Sequence, residues 1–216
     1  MKYFFWVRKV PLWCSFFLIS INVAAAQFTA TLVDADGAPL ADGVIALIPA
    51  QQPDYTDVPT ALMDQRQNMF VPKVLAIRTN TQVRFPNSDD VRHHVYSFSP
   101  AKKFELRLYH GMTAEPVVFD KSGTVVLGCN IHDSMVAYIY VVDTPYFAKS
   151  DASGQLHITA PAGDYKLQVY HPRLSGDYPE SSLQLSDATP SQQTITLQPL
   201  SDSAGDAPTD ELSTLF

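Results

Sequence analysis

The segment Cys129-Asn130-Ile131-His132-Asp133-Ser134-Met135 lies between two apolar runs of the chain. A thiol, an imidazole and a thioether recur in it at every third residue. This soft donor set suits copper, whereas magnesium, calcium and closed zinc sites prefer other ligands. A fourth ligand is expected from His93-His94-Val95, which begins a strand-like run after the turn-rich residues 86–90. Two His, one Cys and a weak axial Met form a trigonal site for a single copper ion.

The first 26 residues have the pattern of a signal peptide. They contain three basic residues near the start, an apolar stretch over residues 12–23, and Ala24-Ala25-Ala26 before Gln27. Polar residues interrupt the apolar stretch, so it is a poor membrane span. We therefore expect export to the periplasm and no stable membrane insertion after cleavage. An uncleaved anchor is the alternative.

Charge and cysteine content narrow the choice of partner and chemistry. The 216 residues include 15 basic and 22 acidic side chains; the leader removes three of the basic ones, which leaves a mature net charge of −10. Nucleic acid is therefore not an expected partner. Cys14 leaves with the leader, so Cys129 is the only thiol in a chain bound for an oxidising compartment. Metal ligation explains it best, and a buried inert Cys or an intermolecular bridge is the alternative.

The rest of the sequence predicts an all-β fold. Helical periodicity is almost absent, and short apolar or alternating runs are separated by Gly, Pro, Asn and Asp. This pattern is typical of β-sandwiches. Strands are predicted at residues 28–33, 43–48, 74–77, 82–85, 95–98, 104–109, 117–119, 124–127, 136–142, 155–158, 165–170 and 193–197.

From about residue 65 to residue 142 the chain resembles the cupredoxins, the small blue-copper proteins that include plastocyanin, pseudoazurin and amicyanin. The resemblance rests on Phe70-Val71-Pro72, residues 74–77 and 83–89, His93-His94-Val95, Gly123, Cys129, His132 and Met135. It implies a Greek-key β-sandwich that binds one type 1 copper ion through His93, Cys129, His132 and Met135. His93 is preferred to His94 because the family's ligand is followed by one residue and then Val or Ile. Whether His94 contributes to the site is left open.

The flanking regions resemble a different sandwich. A turn at residues 34–40, a turn at residues 150–154 and the segment Pro161-Ala162-Gly163-Asp164-Tyr165 resemble parts of one carboxypeptidase-regulatory-like, transthyretin-type β-sandwich. Because the metal motif lies between these parts, the cupredoxin domain is predicted to be an insertion in that sandwich. Three consecutive small units, or one continuous sandwich, are the alternatives. The expected segments are the signal peptide at 1–26, the first part of the outer sandwich at 27–58, the cupredoxin domain at 59–144, the second part of the outer sandwich at 145–200, and an acidic disordered tail at 201–216.

The resemblance implies a periplasmic single-electron carrier with protein redox partners, and His132 as the port for the electron. An enzyme is not expected, because multicopper oxidases place His beside the Cys, whereas Gly128 and Asn130 stand here. The whole layout also looks like exported proteins of methylamine utilisation. The alternative functions are copper storage or delivery, and a structural sandwich in which copper is stabilising.

Overall fold

The structure is a computed structural model that describes residues 25–112 and 115–202. Within these ranges the chain forms β-strands and no helix, which confirms the predicted all-β class. The strands are β1 (Ala25–Val33), β2 (Val44–Pro49), β3 (Thr60–Leu62), β4 (Asp64–Arg66), β5 (Met69–Val71), β6 (Val74–Arg78), β7 (Thr81–Arg84), β8 (His93–Ser97), β9 (Phe104–Tyr109), β10 (Val117–Phe119), β11 (Gly123–Leu127), β12 (Ala137–Val142), β13 (Phe147–Lys149), β14 (Gln155–Pro161), β15 (Gly163–Tyr170), β16 (Ser181–Leu185) and β17 (Ser191–Thr196).

Two predicted segments fall largely outside the described residues. The leader is outside up to residue 24, and so is the acidic tail from residue 203. Ala25 and Ala26, which the sequence assigns to the end of the leader, belong to β1 and pair with Pro161 and Ala160 of β14. In the part of the chain that is described, no helix is long and apolar enough to cross a membrane.

Strands from the two ends of the described chain form one unit, called here the outer unit. The sheet β14-β1-β17 faces the sheet β13-β2-β15-β16. In β1 and β14 every second residue is buried, so one face of their sheet can pack against the opposite sheet. Phe28 and Leu32 of β1 pack with Leu47 and Leu167 of the opposite sheet in one core.

The strands β3 to β12 form a second unit, called here the inner unit. Its larger sheets are β10-β7-β3 and β11-β12-β6, with the pairs β4-β5 and β8-β9 beside them. Phe85, Phe119 and Ile139 are completely buried in its core, and Cys129 and Met135 belong to the same core. The loop between β11 and β12 is therefore attached to a packed base.

The two units meet at a small aromatic cluster. Tyr138 and Val74 of the inner unit are buried with Val44 of the outer unit. Tyr140 stacks on Tyr170 with ring centroids 4.5 Å apart. Strands that precede and follow the inner unit share the sheets of the outer unit. The insertion, the domain bounds and the transthyretin-type identity of the outer unit stay predictions.

A buried histidine of the outer unit predicts an acid-sensitive stability. His171 Nε2–H donates to the carbonyl of Ala41 at 3.1 Å, and Nδ1 accepts the N–H of Arg173 at 3.2 Å. Only the neutral ring can donate through one nitrogen and accept through the other. Burial lowers the pKa of His171, and the bond to Ala41 opposes this only in part. The unfolded chain therefore binds a proton at this ring more readily than the folded protein does. The stability that neutral His171 contributes is present above its ordinary pKa of 6.5 and is lost as the pH falls below that value.

The measurement is urea unfolding of the parent and of His171→Asn at a series of pH values from 8 to about 5. Asn keeps a donor and an acceptor but does not titrate. The free energy of unfolding of the parent should fall more steeply with acidification than that of the variant. Equal slopes would mean that His171 does not contribute to the pH dependence.

Candidate metal centre

The loop at residues 128–136 joins two paired strands and carries three of the predicted ligands. β11 and β12 are antiparallel, and Leu127 is opposite Ala137, so the loop is closed at its base. Within it the N–H of Met135 donates to the carbonyl of His132 at 2.9 Å, which folds the loop into a turn. Cys129 and His132 are thereby held on a short and hydrogen-bonded segment.

A close backbone contact fixes this loop against β8. The N–H of Tyr96 donates to the carbonyl of Gly128 at 3.1 Å, and the N–H of Gly128 donates back at 3.0 Å. The ring of Tyr96 lies over Gly128, where an added Cβ would be 2.7 Å from the ring. Gly128 is therefore needed for close approach, and β8 and the Cys129 loop are brought together through it.

Ligand atoms of three residues converge at this junction. One atom each from His93, Cys129 and His132 lies within 4.8 Å of the other two. Cys129 Sγ is 3.8 Å from His132 Nδ1, and the rings of His93 and His132 have centroids 5.0 Å apart with planes at 60°. This cluster can hold a metal ion, and a thiol with two imidazoles is a donor set that suits copper.

The burial of the four predicted ligands differs. His93, Met135 and Cys129 have exposed fractions of 0%, 1% and 3%, whereas His132 is half-buried. Met135 is in the same core cluster as Cys129. Its assignment as the axial ligand stays a prediction, while His132 is the member of the cluster that meets solvent.

The nitrogens of His93 provide a test of whether the residues fit a metal. Nε2 is 2.7 Å from Asp89 Oδ2, and a carboxylate only accepts hydrogen bonds, so we place the proton on Nε2. Nδ1 is then a lone-pair donor. It is buried and has no hydrogen-bond partner among the described residues. A buried unsatisfied acceptor beside a thiol and a second imidazole is what a metal ligand requires.

His94 is turned to a different set of partners. Its Nε2 lies 2.9 Å from Glu105 Oε1 on β9, and its ring is 5.6 Å from that of Tyr96. The pairing of β8 with β9 is irregular between His93 and Val95. Such an irregularity redirects side chains. At this irregularity His93 and His94 are both buried, although they are adjacent in the strand. Only His93 belongs to the cluster.

Asp89, the hydrogen-bond partner of His93, is an ionised carboxylate. Its side chain is 14% exposed. Burial would raise the pKa of Asp89, but hydrogen bonds from the N–H of Asn68, from His93 and from the N–H of Gln67 together hold that pKa below its ordinary value. The carboxylate therefore carries its negative charge beside the buried imidazole of His93.

A buried polar network lies beneath the site. Tyr109 donates its O–H to the carbonyl of Phe85 at 2.6 Å and accepts a hydrogen bond from the amide of Gln65. Burial raises the pKa of Tyr109 to about 12, so the phenol stays neutral. Asn87 Nδ2 donates to the carbonyls of Val91 and Tyr109 at 2.8 and 2.9 Å. These bonds fix the turn that carries Asp89.

The sequence predicts a turn at residues 86–90 and does not indicate that Asp89 takes part in the site. The available signal was an acidic residue four positions before a predicted imidazole ligand. Carboxylates are common partners of the second nitrogen of a ligating His. A carboxylate bonded to a histidine does not by itself indicate a metal ligand, because Glu105 is bonded to His94, which lies outside the cluster.

Gly128→Ala is expected to destabilise the protein by about 1–3 kcal/mol, which is the usual result of overpacking. The new Cβ would be 2.7 Å from Tyr96, so the ring or the Cys129 loop must move. Chemical unfolding measures the loss. The Gly128→Ala, Tyr96→Ala double variant is the control, because it removes the clash. If the double variant is destabilised by the full sum of the two single changes, the close contact is not the cause.

Solved structures that are similar to part of the chain include a cupredoxin, a Cu-containing nitrite reductase and an amicyanin. A novel purple cupredoxin from Nitrosopumilus maritimus has 22% sequence identity and a TM-score of 0.34, over 38% of this chain and 99% of that one. A Cu-containing nitrite reductase from Thermus scotoductus has 24% identity and a TM-score of 0.36, over 52% of this chain and 28% of that one. Amicyanin from Paracoccus versutus has 13% identity and a TM-score of 0.33, over 45% of this chain and 92% of that one. No protein-family model matches the sequence, and no curated protein matches it. Cupredoxins are thus among the structural neighbours, while the assignment of the site depends on the cluster in this chain.

Proposed function

We propose that this chain is an exported, periplasmic electron carrier with one mononuclear type 1 copper ion. Its ligands are His93, Cys129 and His132, with Met135 as a weak axial ligand. Protein redox partners supply and accept the electron. The observation that carries the proposal is the convergence of a thiol and two imidazoles within 4.8 Å on a packed β-frame.

Rigidity supports electron transfer over catalysis or storage. Copper bound here would alternate between Cu(II) and Cu(I), and a site of this kind works best when its ligands keep their places in both states. His93 is held by Asp89, and the Cys129 loop is held by the backbone pair between Tyr96 and Gly128. Ligands fixed by such supporting contacts need little movement when the charge changes.

The exposure of the loop supports a single docking edge for partners. His132 is half-buried, and the neighbouring Ile131 is 48% exposed. An imidazole edge beside an apolar side chain gives a partner a direct path to the ligand set and a small contact area. Weak redox encounters use small interfaces, so this edge suits a transient partner.

The proposal is tested with the full mature chain loaded with one equivalent of copper. Voltammetry should give a reversible one-electron wave, and an apo-acceptor protein should withdraw Cu(I) slowly. Fast loss of Cu(I) to the acceptor would instead support copper delivery. A protein that gains thermal stability from copper but gives no reversible wave would support a structural role.

Met135→Gln is expected to lower the reduction potential while copper stays bound. A thioether favours Cu(I) and bonds weakly, whereas an amide oxygen favours the harder Cu(II). Burial of the amide should also lower the stability by about 1–3 kcal/mol. Voltammetry and chemical unfolding beside the parent measure the two effects.

Met63→Gln is the matched control for this change. Met63 is completely buried in the same core as Met135, but it lies outside the Cys129 loop. It should lose stability by a similar amount without a change in potential. A potential that is unchanged in Met135→Gln, or shifted equally in Met63→Gln, would show that Met135 only packs beneath the loop.

A further inference from the structure

Asp89 accepts three N–H groups on one carboxylate. Oδ2 is 2.7 Å from His93 Nε2 and 3.0 Å from the N–H of Asn68, and Oδ1 accepts the N–H of Gln67 at 2.5 Å. Asp89 itself lies in a turn, where its N–H donates to Asn87 Oδ1 at 3.0 Å. Neither oxygen is free to leave the imidazole without loss of a backbone hydrogen bond.

The anchor is a tight hairpin turn. β4 pairs with β5 so that Arg66 is opposite Met69, which leaves Gln67 and Asn68 as a two-residue loop. Both residues are left-handed, with φ of 55° and 56°, as a type I′ turn requires. The two N–H groups that face Asp89 therefore belong to a backbone of fixed shape, and they hold the carboxylate without a flexible side chain.

This anchored carboxylate determines which nitrogen of His93 is available. A proton on Nδ1 would leave a lone pair on Nε2 facing the negative oxygen at 2.7 Å, which is repulsive. The Nε2–H form makes a charge-assisted hydrogen bond and leaves Nδ1 with its lone pair. Nδ1 is the buried nitrogen without a partner among the described residues.

We propose that Asp89, held by the Gln67-Asn68 turn, is a positioning residue that fixes the ring and tautomer of His93 and strengthens its Nδ1 as a donor to Cu(II). The proposal rests on the copper site proposed above. Carboxylate partners raise the basicity of a ligating imidazole. A stronger nitrogen donor stabilises Cu(II) more than Cu(I), so Asp89 lowers the reduction potential of the site.

The chain provides a matched control in the next residue pair. His94 Nε2 is bonded to Glu105 at 2.9 Å, so the adjacent histidine also has a carboxylate partner, on a side chain that is 50% exposed and also lies 3.6 Å from Arg107 Nε. His94 is outside the metal cluster. Glu105→Gln thus removes the same charge near the site without a change to a ligand. A shift seen in Asp89→Asn and absent from Glu105→Gln cannot come from net charge alone.

The experiment compares the full mature parent, Asp89→Asn, Asp89→Glu and Glu105→Gln. Cu(II) affinity is measured by chelator competition, and the potential by voltammetry. Asp89→Asn should weaken Cu(II) binding by about 10- to 100-fold, the usual effect of losing such a partner. It should also raise the reduction potential. The rise is about 59 mV for each factor of ten by which the loss of Cu(II) affinity exceeds the loss of Cu(I) affinity. Asp89→Glu should recover part of both, and Glu105→Gln should resemble the parent.

Two results would overturn the proposal. One is an Asp89→Asn protein with the parent's Cu(II) affinity and potential, and the other is a Glu105→Gln protein with the same shifts as Asp89→Asn. Should Asp89→Asn fail to fold, nitrogen NMR of the copper-free parent decides the matter: His93 protonated on Nε2 supports the proposal, and His93 protonated on Nδ1 overturns it. A parent that forms no thiolate–copper band contradicts the copper site itself, whereas a coloured parent with an unaffected Asp89→Asn contradicts only the role of Asp89.

Discussion

Cys129→Ser should abolish the intense visible absorption of the copper-loaded protein completely. The band is a charge transfer from a thiolate to Cu(II), and Cys129 is the only cysteine among the described residues. Serine is close in size, so the loop can keep its hydrogen bonds while the soft donor is lost. Cu(II) that still binds to the two imidazoles should give only weak absorption. The measurement is a visible spectrum at matched copper content.

The control for this variant is the copper-free fold. Cys129 is 3% exposed in the inner core, and a buried hydroxyl without a partner costs about 1–3 kcal/mol. Unfolding curves of both copper-free proteins should therefore differ by no more than that amount. A Cys129→Ser protein that is folded, binds copper and keeps an intense band would refute the assignment of Cys129 as the thiolate ligand.

His93→Ala should lose the coloured site, while His94→Ala should keep it. Both histidines have a buried Nδ1 without a partner among the described residues, but only His93 belongs to the ligand cluster with Cys129 and His132. Loss of a ligand should weaken Cu(II) binding by more than the roughly 10- to 100-fold expected for an outer partner. His94→Ala should instead lower the stability by about 0.5–3 kcal/mol.

The two variants control for each other, since the residues are adjacent and both side chains are buried. Copper titration followed by visible absorption distinguishes them. Colour that survives in His93→Ala and disappears in His94→Ala would place the ligand one residue further along β8. That result would also remove the basis for a role of Asp89.

The three residues whose ligand atoms converge, His93, Cys129 and His132, could be identified from the sequence, whereas Met135 as a ligand stays a prediction. The spacing of Cys129, His132 and Met135 needs no knowledge of tertiary structure, and only His93 had to be chosen from a distant segment. Each of the predicted apolar runs overlaps a strand. The reason is that the side chains that a strand buries are apolar and recur in a regular pattern along the sequence. The all-β class follows from the same signal.

The unpredicted parts depend on groups that the side-chain pattern does not record. β4 consists of Asp64-Gln65-Arg66 and has no apolar alternation, yet Gln65 is completely buried, and its Nε2 donates to the carbonyl of Pro86 at 3.2 Å. β16 has only Leu183 and Leu185 as its apolar signal. Asp89 is held by backbone N–H groups of a turn more than twenty residues away. Such contacts form between distant segments in the folded chain and cannot be inferred from the polarity pattern of the sequence.

The most direct test of the copper assignment is the visible spectrum, with electron paramagnetic resonance, of the full mature chain loaded with one equivalent of Cu(II). Ligation by Cys129, His93 and His132 in a trigonal site predicts an intense thiolate-to-copper band and the narrow copper hyperfine splitting of a type 1 site. A protein that binds one Cu(II) but shows weak absorption and the wide splitting of a tetragonal site would contradict it.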